Sequence, residues 1–420
     1  MTWRRCGSAT DSKGQQSSTV TQTSTLYISY DGLMEPLGQS QVWQYLSGLS
    51  ANHQIVLLSY EKADDWANEQ EKSRIKEIVS SKGVIWIPLR YHKKPSAIAT
   101  AFDIFLGILV GSYLTLKHRV KIVHARSYVP SVIALALKKL FGLKFVFDMR
   151  GFWADERVDG GLWPKGSRLY RTAKWFERRF LLSADRVVSL TQAAVDEMQN
   201  FPYLQGRMPI FEVITTCADL DLFNPDAHER SSQNDDKPFT LGYVGSVGVW
   251  YLFDETLQCF KILQKVIPDA RLHILNRGGH AYIHERLNYH QIDPEAVRLE
   301  VTDHAGVARA MCQMDAGIFF IKPAYSKTAS APTKLGEFLG CGIPCLGNVG
   351  VGDMATILES ERVGLALGDF SEVAMRDAIV RLLQLVREPG IQQRCRQVAL
   401  RYFSLEQGVK AYDQIYQELG

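Results

Sequence analysis

The side chains with the clearest chemical potential lie in one short segment, residues 330–344, with the sequence SAPTKLGEFLGCGIP. Thr333 can cap a helix here, and the backbone N–H groups of that helix's first turn would form an anion site. Lys334 would add a positive charge suited to a diphosphate. Glu337 lies one turn later, where a carboxylate can accept two adjacent ribose hydroxyls. The alternative is a surface helix with an ordinary N-cap and a Lys–Glu pair three residues apart.

A loop near the N-terminus, 35–40 (EPLGQS), is predicted to run from a strand into a helix. Gly38 would let the backbone approach a phosphate or a sugar closely, and Gln39 and Ser40 could hydrogen-bond polar groups of a ligand. A turn followed by an ordinary N-cap is the simpler interpretation of this loop taken alone.

Charged residues follow two predicted strands in the first half of the chain. His124 and Arg126 lie at the carboxyl end of one strand, and Arg150 follows the next. Ligands of open parallel sheets bind at that edge, so a binding role competes with a structural role for the histidine. Asp155 or Glu156 could orient a ligand hydroxyl or simply pair with arginines at the surface.

Metal ligands and redox cysteines are not predicted. Asp219-Leu-Asp221 has the D-x-D form of some divalent-metal sites, but its position just before a polar linker favours an ordinary loop. The seven cysteines include no CxxC pair, which favours a reducing compartment. Cys341 and Cys345 are expected to be packing residues.

The elements that must position these residues alternate along the chain. Short β-rich runs separated by helix-length segments predict an α/β fold with two Rossmann-like, doubly wound domains that face each other across a cleft. The predicted segments are a disordered polar tail at 1–24, a first domain at 25–223, a linker at 224–238, a second domain at 239–395 and a C-terminal helical segment at 396–420. The C-terminal segment could pack on either domain.

Two segments of the first domain raise the question of membrane contact. Residues 97–116 are apolar over the length of a bilayer, but they contain Asp103 and are flanked by basic residues. A helix packed in the core is favoured, then one lying in the membrane interface, then a span. Residues 165–179 would form a helix with a basic and aromatic stripe, which suits either anionic lipid headgroups or solvent.

Composition narrows the function classes further. The 420 residues are 46% hydrophobic and 22% charged, which is typical of a soluble globular protein and excludes a disordered, collagen-like or coiled-coil chain. The net charge of +3, from 48 basic and 45 acidic residues, is too balanced for a protein that coats nucleic acid. No GxGxxG follows the first predicted strand of either domain, which disfavours a dehydrogenase.

The segment 330–344 resembles the donor-site motif of glycosyltransferase family 4, whose members have the GT-B fold. It is similar to the version S-x-P-T-K-L-G-E-x-L-x-x-G-x-P found in bacterial capsule and exopolysaccharide transferases. Four further segments resemble this subgroup and follow the family's order: 29–41, 122–127, 147–153 and 242–251. The resemblance therefore covers nearly the whole chain after the polar tail.

The resemblance implies a retaining transfer of sugar from a nucleotide-sugar donor, with neither a metal nor another cofactor. The second domain would bind the donor through Gly245, Ser246, Arg277, Ser330, Thr333, Lys334 and Glu337. The first domain would hold the acceptor through Gly38, Gln39, Ser40, His124 and Arg126. The expected catalytic residues are Lys334, which would stabilise the departing diphosphate, and Arg150.

The same resemblance indicates where the reaction would take place. The implied acceptor is a lipid-linked saccharide in surface polysaccharide assembly, and no nucleic-acid partner is expected. The enzyme would be cytoplasmic. Independently of the resemblance, the apolar segment 97–116 and the basic stripe of 165–179 favour a peripheral position on the inner face of the plasma membrane.

Three positions depart from the family's pattern. Ala329 stands where the first carboxylate of the usual E-x7-E motif would be, so Ser330 or backbone amides would have to meet the sugar hydroxyls. Residues 245–251 lack the usual Arg…Lys pair, and Arg150 stands where many relatives have histidine. Two alternatives follow: a non-catalytic nucleotide-sugar-binding scaffold in an assembly complex, or a GT-B nucleotide-sugar epimerase.

Overall fold

Two parallel sheets organise the protein in a computed structural model that describes residues 23–94, 96–228 and 237–420. The strands of the first sheet are β1 (Ser24–Ser29), β2 (Gln54–Glu61), β3 (Ile85–Arg90), β4 (Ile122–Arg126), β5 (Lys144–Asp148), β6 (Arg186–Ser189) and β7 (Phe211–Val213). Those of the second sheet are β8 (Thr240–Val244), β9 (Arg271–Leu275), β10 (Val297–Glu300), β11 (Ala316–Ile318), β12 (Cys345–Asn348) and β13 (Gly364–Leu367).

The strand orders are those of doubly wound domains. The first sheet runs β3-β2-β1-β4-β5-β6-β7 and the second runs β10-β9-β8-β11-β12-β13, and adjacent strands in both are parallel. In each sheet the order reverses beside the first strand, and ligands of such sheets bind at that switch point. The predicted two-domain α/β architecture is confirmed.

Helices connect the strands and cover both sheets. Those before the second sheet are α1 (Pro36–Gly38), α2 (Gln44–Leu49), α3 (Ala63–Trp66), α4 (Glu69–Ser81), α5 (Ser96–Lys117), α6 (Tyr128–Phe141), α7 (Trp153–Asp159), α8 (Arg168–Ser183) and α9 (Gln192–Gln199). Those after it begins are α10 (Phe253–Val266), α11 (His280–Tyr289), α12 (His304–Met311), α13 (Thr333–Gly340), α14 (Met354–Ser360), α15 (Glu372–Val386), α16 (Ile391–Tyr402) and α17 (Leu405–Leu419).

The strands form where the sequence is apolar enough to be covered on both faces. All six residues of β1 are buried, as parallel strands between two helical layers require. The register pairs Ser29 with Arg126 and Arg126 with Asp148, so polar residues at the carboxyl ends of β1, β4 and β5 lie side by side. The sheet therefore delivers these side chains to the edge where the cleft opens.

The C-terminal segment is divided between the domains. Helix α16 packs on α13 of the second domain, whereas α17 returns to the first sheet and buries Tyr412, Ile415 and Tyr416 against it. The chain crosses at Ser404, which forms a parallel bridge with Ala218. The predicted boundary at residue 396 falls inside α16. The C-terminal segment was expected to pack on one domain or the other, and it packs on both.

The predicted end of the N-terminal tail is one residue too late. Ser24 pairs with Gln54 in the first sheet, so the folded chain begins before the predicted boundary at residue 25. The rest of the predicted disordered tail, 1–22, and the central part of the predicted linker, 229–236, lie outside the described residues.

Candidate active site between the domains

A cleft of about 940 Å³ lies between the carboxyl edges of the two sheets. The first domain contributes residues from the segment 36–44, and the second contributes the loops after β8 and β9 and the start of α13. Most of the predicted donor-binding residues line this cleft: Gly245, Ser246, Arg277, Thr333 and Glu337. The sequence-based prediction of a shared binding region in the second domain is therefore consistent with the geometry.

Gly245 separates the cleft from Lys334. Its φ of +115° is rarely adopted by other residues, and a Cβ there would lie 2.7 Å from the Lys334 Nζ. The glycine thus allows the ammonium to approach the cleft wall directly behind the backbone. A ligand anion placed against this loop would meet the positive charge without an intervening side chain.

The ammonium of Lys334 is surrounded by aromatic rings and lacks a hydrogen-bond partner within the described ranges. Its Nζ lies 4.0 Å from the ring centre of Tyr251, 5.3 Å from that of Phe319 and 5.7 Å from that of Tyr243. Ring faces attract a cation but cannot accept its strong hydrogen bonds as an anion would. Burial lowers the pKa of Lys334 to about 7, with Glu337 opposing the shift.

Glu337 lies one turn along α13 and lines the cleft. Burial raises the pKa of its carboxyl group to about 7, with Lys334 opposing the shift. Both groups are thus held where their charged forms are disfavoured. A ligand that offers an anion to Lys334 and hydroxyls to Glu337 would stabilise both charged forms at once.

Asn276 builds the neighbouring part of the wall, and sequence analysis did not identify it. Its side-chain amide donates to the carbonyl of Gly245 at 2.8 Å, and its Oδ1 accepts from the N–H groups of Gly278 at 3.0 Å and Gly279 at 2.6 Å. The residue therefore positions both loops of the donor wall. The sequence Asn276-Arg-Gly-Gly279 directly after a strand was the available signal, since Asn and Gly favour such a turn.

The start of α13 differs from the prediction. Pro332 occupies the N-cap position with an extended backbone (φ −69°, ψ 117°), and no side chain caps the helix. Thr333 is the first helical residue, so the prediction that it caps the helix is wrong. Its place in the cleft wall leaves it available to a ligand.

The first-domain wall comes from the segment 36–44, where a π-helical turn, Gln39–Trp43, joins α1 and α2. Gln39 and Ser40 line the cleft, as expected for ligand-contacting residues. Gly38 does not: a Cβ there would lie 1.9 Å from the carbonyl oxygen of Gly32. The expectation that it lets a ligand approach is replaced by close packing within the loop.

The charged residues of β4 and β5 form a buried cluster beneath α17. His124 Nδ1 lies 2.6 Å from the Tyr416 hydroxyl, and Tyr412 donates to Asp148 at 3.1 Å. Burial lowers the pKa of His124. Burial raises the pKa of Asp148, but Arg150 and His124 lower it more, and the result is below the usual value. His124 is therefore in the core, apart from the residues that line the cleft.

The two arginines of this region reach the cleft at most indirectly. Arg126 is buried and donates to Asp31 at 3.2 Å. Arg150, with a φ of +56°, lies 3.9 Å from Asp148 and donates to Gln41 at 3.3 Å, and Gln41 lines the cleft. Arg150 can thus position a cleft residue, but it is not placed to touch a ligand as the predicted catalytic role requires.

Ser330 lies apart from the other donor residues. It lines a different cavity of about 510 Å³, together with Thr191 and Asp353. Ala329, just before it, is 2% exposed and packs with the core of the first domain. The prediction that Ser330 faces the same site as Lys334 is not met in this structure.

The segment Tyr325–Ala329 explains this arrangement because it binds the first domain. Tyr325 stacks on Phe152 with ring centres 5.3 Å apart, and Lys327 pairs with Glu156 at 2.7 Å. Glu156 therefore contributes to the contact between the domains. Of the two roles predicted for it, the structure shows pairing with a basic residue. Its predicted partners were arginines of its own domain, whereas the observed partner is a lysine of the other.

The remaining candidates have local structural roles. Asp155 pairs with Lys174 at 2.9 Å and accepts from Tyr170 at 2.8 Å. Asp219 accepts from the backbone N–H groups of Asp221 and Leu222 at 3.2 and 3.1 Å, so its carboxylate closes a turn. No group of three or more His, Cys, Asp or Glu residues that could hold a metal occurs in the part of the chain that the structure describes.

The sequence of the first domain is similar to that of a known protein family. Residues 38–208 match the sequence model of the glycosyl transferase 4-like domain. No curated protein sequence matches the chain. The first domain, which supplies one wall of the cleft, is therefore similar to the glycosyl transferase 4-like domain.

Solved structures with the same fold cover almost the whole chain. A glycosyltransferase from Rickettsia africae ESF-5 is 14% identical, with a TM-score of 0.69 over 95% of this chain and 99% of that one. HepE from Anabaena, in complex with UDP and glucose, is 11% identical with a TM-score of 0.63, over 94% and 98%. The pneumococcal O-GlcNAc transferase GtfA, in complex with UDP and GlcNAc, is 12% identical with a TM-score of 0.62, over 95% and 99%. The predicted GT-B fold is confirmed.

Proposed function

We propose that this protein is a retaining glycosyltransferase that moves a sugar from a nucleotide-sugar donor to a lipid-linked saccharide. The proposed setting is the assembly of a surface polysaccharide on the cytoplasmic side of the membrane. One observation carries the donor part of the proposal: a buried ammonium without a hydrogen-bond partner lies directly behind a glycine in the cleft wall. The UDP complexes of HepE and GtfA, which have the same fold, are consistent with a nucleotide diphosphate there.

Electrostatic stabilisation of the leaving group is the proposed source of catalysis. The bond between the sugar's anomeric carbon and the diphosphate oxygen breaks, and the acceptor oxygen bonds to that carbon on the same face. The acceptor's proton passes to the departing diphosphate, so no separate base is needed. Lys334 stabilises the negative charge that develops on the diphosphate, and Glu337 holds the ribose hydroxyls.

Supporting roles follow from position. Asn276 keeps the loops at Gly245 and Gly279 in place, and Thr333 and Arg277 add donors at the cleft wall. Arg150 is assigned a positioning role through Gln41 rather than contact with the reacting atoms. No cofactor is proposed beyond the nucleotide-sugar itself, because the lysine supplies the positive charge that the leaving group needs.

Calorimetric titration with a panel of UDP-, GDP-, ADP- and dTDP-sugars tests the proposal. Wild type should bind one donor, with and without EDTA, and Lys334→Met should weaken that binding on the order of a hundredfold, the size of effect expected for one charge-assisted contact. Lys265→Met changes an exposed lysine of the same domain and should bind like wild type. Equal affinity in Lys334→Met and wild type would contradict the proposed site.

A non-catalytic nucleotide-sugar-binding scaffold is favoured by one specific observation. Ala329 is buried against the first domain and Ser330 faces a separate cavity, so two positions expected near the donor sugar do not meet it. Release of nucleotide diphosphate in the presence of membrane-extracted saccharide lipids separates the two functions. An enzyme turns over, and Glu337→Gln slows it, whereas a scaffold binds the donor without release.

A further inference from the structure

On helix α5, Leu114 is buried and Ile104, Ile108 and Val110 are partly buried against the core, but other large apolar side chains face away from the protein. Six of them are between 51% and 70% exposed: Ile98, Phe102, Phe105, Leu109, Tyr113 and Leu116. The side that faces the protein consists mainly of small or polar residues: Ala99, Asp103, Gly107, Gly111 and Thr115. A helix packed on a globular core in water normally exposes polar side chains, so this exposed row of large apolar side chains is unusual.

Glycines hold the inner side of α5 close to its neighbours. A Cβ at Gly107 would lie 2.3 Å from the Tyr60 hydroxyl, and one at Gly111 would lie 2.9 Å from a methyl group of Leu137 on α6. Only small residues permit these contacts. The orientation of the helix is therefore set by packing, and the exposed apolar stripe cannot turn inward.

Asp103 ties the middle of α5 to the first sheet and argues against a span. Its carboxylate accepts from the Tyr30 hydroxyl at 2.7 Å and from the His92 backbone N–H at 3.2 Å, and it is fully buried. Leaving the domain would expose this carboxylate to hydrocarbon without partners. Although α5 is long and apolar enough to cross a bilayer, it is anchored lengthwise on the protein surface.

The helices beside α5 complete a surface with one sign of charge. Helix α6 packs against α5 and α8 packs against α6, and every residue of the three is described. Their exposed charged side chains are all basic: Lys117, Lys139, Arg168, Arg171, Arg178 and Arg179. Their acidic residues, Asp103 and Glu177, are fully buried, and Trp175 on α8 is 51% exposed.

We propose that this three-helix face, the outer surface of α5, α6 and α8, docks on an anionic lipid bilayer. Helix α5 lies in the plane of the membrane with its six exposed apolar side chains in the interface, and the lysines and arginines contact the headgroups. The inference rests on burial and charge alone and does not depend on the proposed transfer reaction.

The charges on this three-helix face also indicate which partner binds it. Apolar side chains framed by cations match a surface that offers acyl chains and anionic headgroups together. Two copies of this face would bring like charges together, which disfavours self-association through it. A bilayer is therefore the partner that satisfies both components.

Vesicle flotation with purified protein tests the proposal. Wild type should float with vesicles of phosphatidylglycerol and phosphatidylcholine, and less with phosphatidylcholine alone. Phe102→Ser/Phe105→Ser/Leu109→Ser should abolish flotation. Arg171→Glu/Arg178→Glu should weaken binding to the anionic vesicles by about tenfold or more. Since the second variant alters a different helix, it tests the face even if the first fails to fold.

A matched control removes exposed apolar side chains from the second domain: Val266→Ser/Tyr289→Ser/Val373→Ser. This variant should float like wild type. Absence of wild-type flotation, or equal loss in the control, would overturn the proposal. So would light scattering that shows a wild-type dimer without vesicles and a monomer for the α5 variant, because the occupant would then be a second copy.

Discussion

The two sides of the cleft differ in how their buried charged groups are partnered. Behind the first-domain wall, Asp148 lies within 4.0 Å of nitrogen atoms of His124, Arg126 and Arg150, so each charge has a counter-charge nearby. Behind the second-domain wall, Lys334 has aromatic rings around it and no hydrogen-bond partner in the described parts of the chain. The first region balances its charges without a ligand, although three of its buried polar atoms, in His124, Asp148 and Arg150, have no hydrogen-bond partner. In the second region, Glu337 offsets only part of the cost of burying Lys334.

The contrast indicates which region is structural and which is functional. A balanced cluster under α17 joins the last helix to the sheet, and its loss should cost stability. The charge of Lys334 is only partly offset by Glu337, so its burial lowers the stability of the empty protein, and a bound anion would compensate for the rest. Stability and donor binding should therefore respond differently to changes on the two sides.

The largest expected effect is on the balanced side. Asp148→Ala leaves Arg150 without its counter-charge and should reduce the free energy of unfolding by about 3–5 kcal/mol, as measured by denaturant titration. Asp148→Asn keeps an acceptor for Tyr412 and should lose less. Donor affinity of the folded fraction should not change, and a tenfold loss there would remove the distinction between the two sides.

A smaller and opposite effect is expected on the unbalanced side. Lys334→Met replaces a buried cation with an apolar side chain of similar length and should raise the free energy of unfolding of the empty protein by about 1–4 kcal/mol. Thermal and denaturant unfolding without donor would measure it, with Lys265→Met as the exposed control. A destabilised Lys334→Met protein would mean that the ammonium is already satisfied in the empty state.

The smallest effect is a pH dependence of donor binding. In the empty protein the pKa values of Lys334 and Glu337 are both about 7. Binding needs the ammonium, so affinity should fall above pH 7. Binding also needs the carboxylate, so affinity should fall below pH 7, by up to about tenfold per unit on each side. Titration with a nucleotide-sugar, whose diphosphate does not titrate in this range, should give a bell-shaped profile.

Variants assign the two limbs of that profile. Glu337→Gln should flatten the acid limb, and the alkaline limb should be absent in Lys334→Met. A wild-type affinity that is constant between pH 6 and 8 would show that the two groups do not change protonation on binding.

The fold and the arrangement of Lys334 and Glu337 on one helix were predictable because their signals are local. Alternating strands and helices predict two parallel sheets, and the contiguous residues of 330–344 place Lys334 and Glu337 one turn apart. The helix start was misassigned because Pro332 and Thr333 both suit the first positions, and the proline takes the cap.

Features made by distant residues were not accessible from the sequence. The rings around Lys334 come from two separate segments, 242–251 and the start of the loop after β11, and the hydroxyl beside His124 belongs to Tyr416, 292 residues later. The apolar face of α17 would suit either domain, so periodicity alone could not select its partner. Ser330 turned away because the preceding segment binds the first domain, which local sequence does not reveal.

The return of α17 to the first sheet has a consequence for how the cleft can open. The chain passes between the domains twice, and the two passages are adjacent, since the Ala218 N–H donates to the Phe403 carbonyl at 2.9 Å. A single tether would let one domain swivel and slide in any direction. Two tethers side by side favour rotation about the line on which they lie, so we expect an opening of the cleft to separate Lys334 and Gln39 along one path.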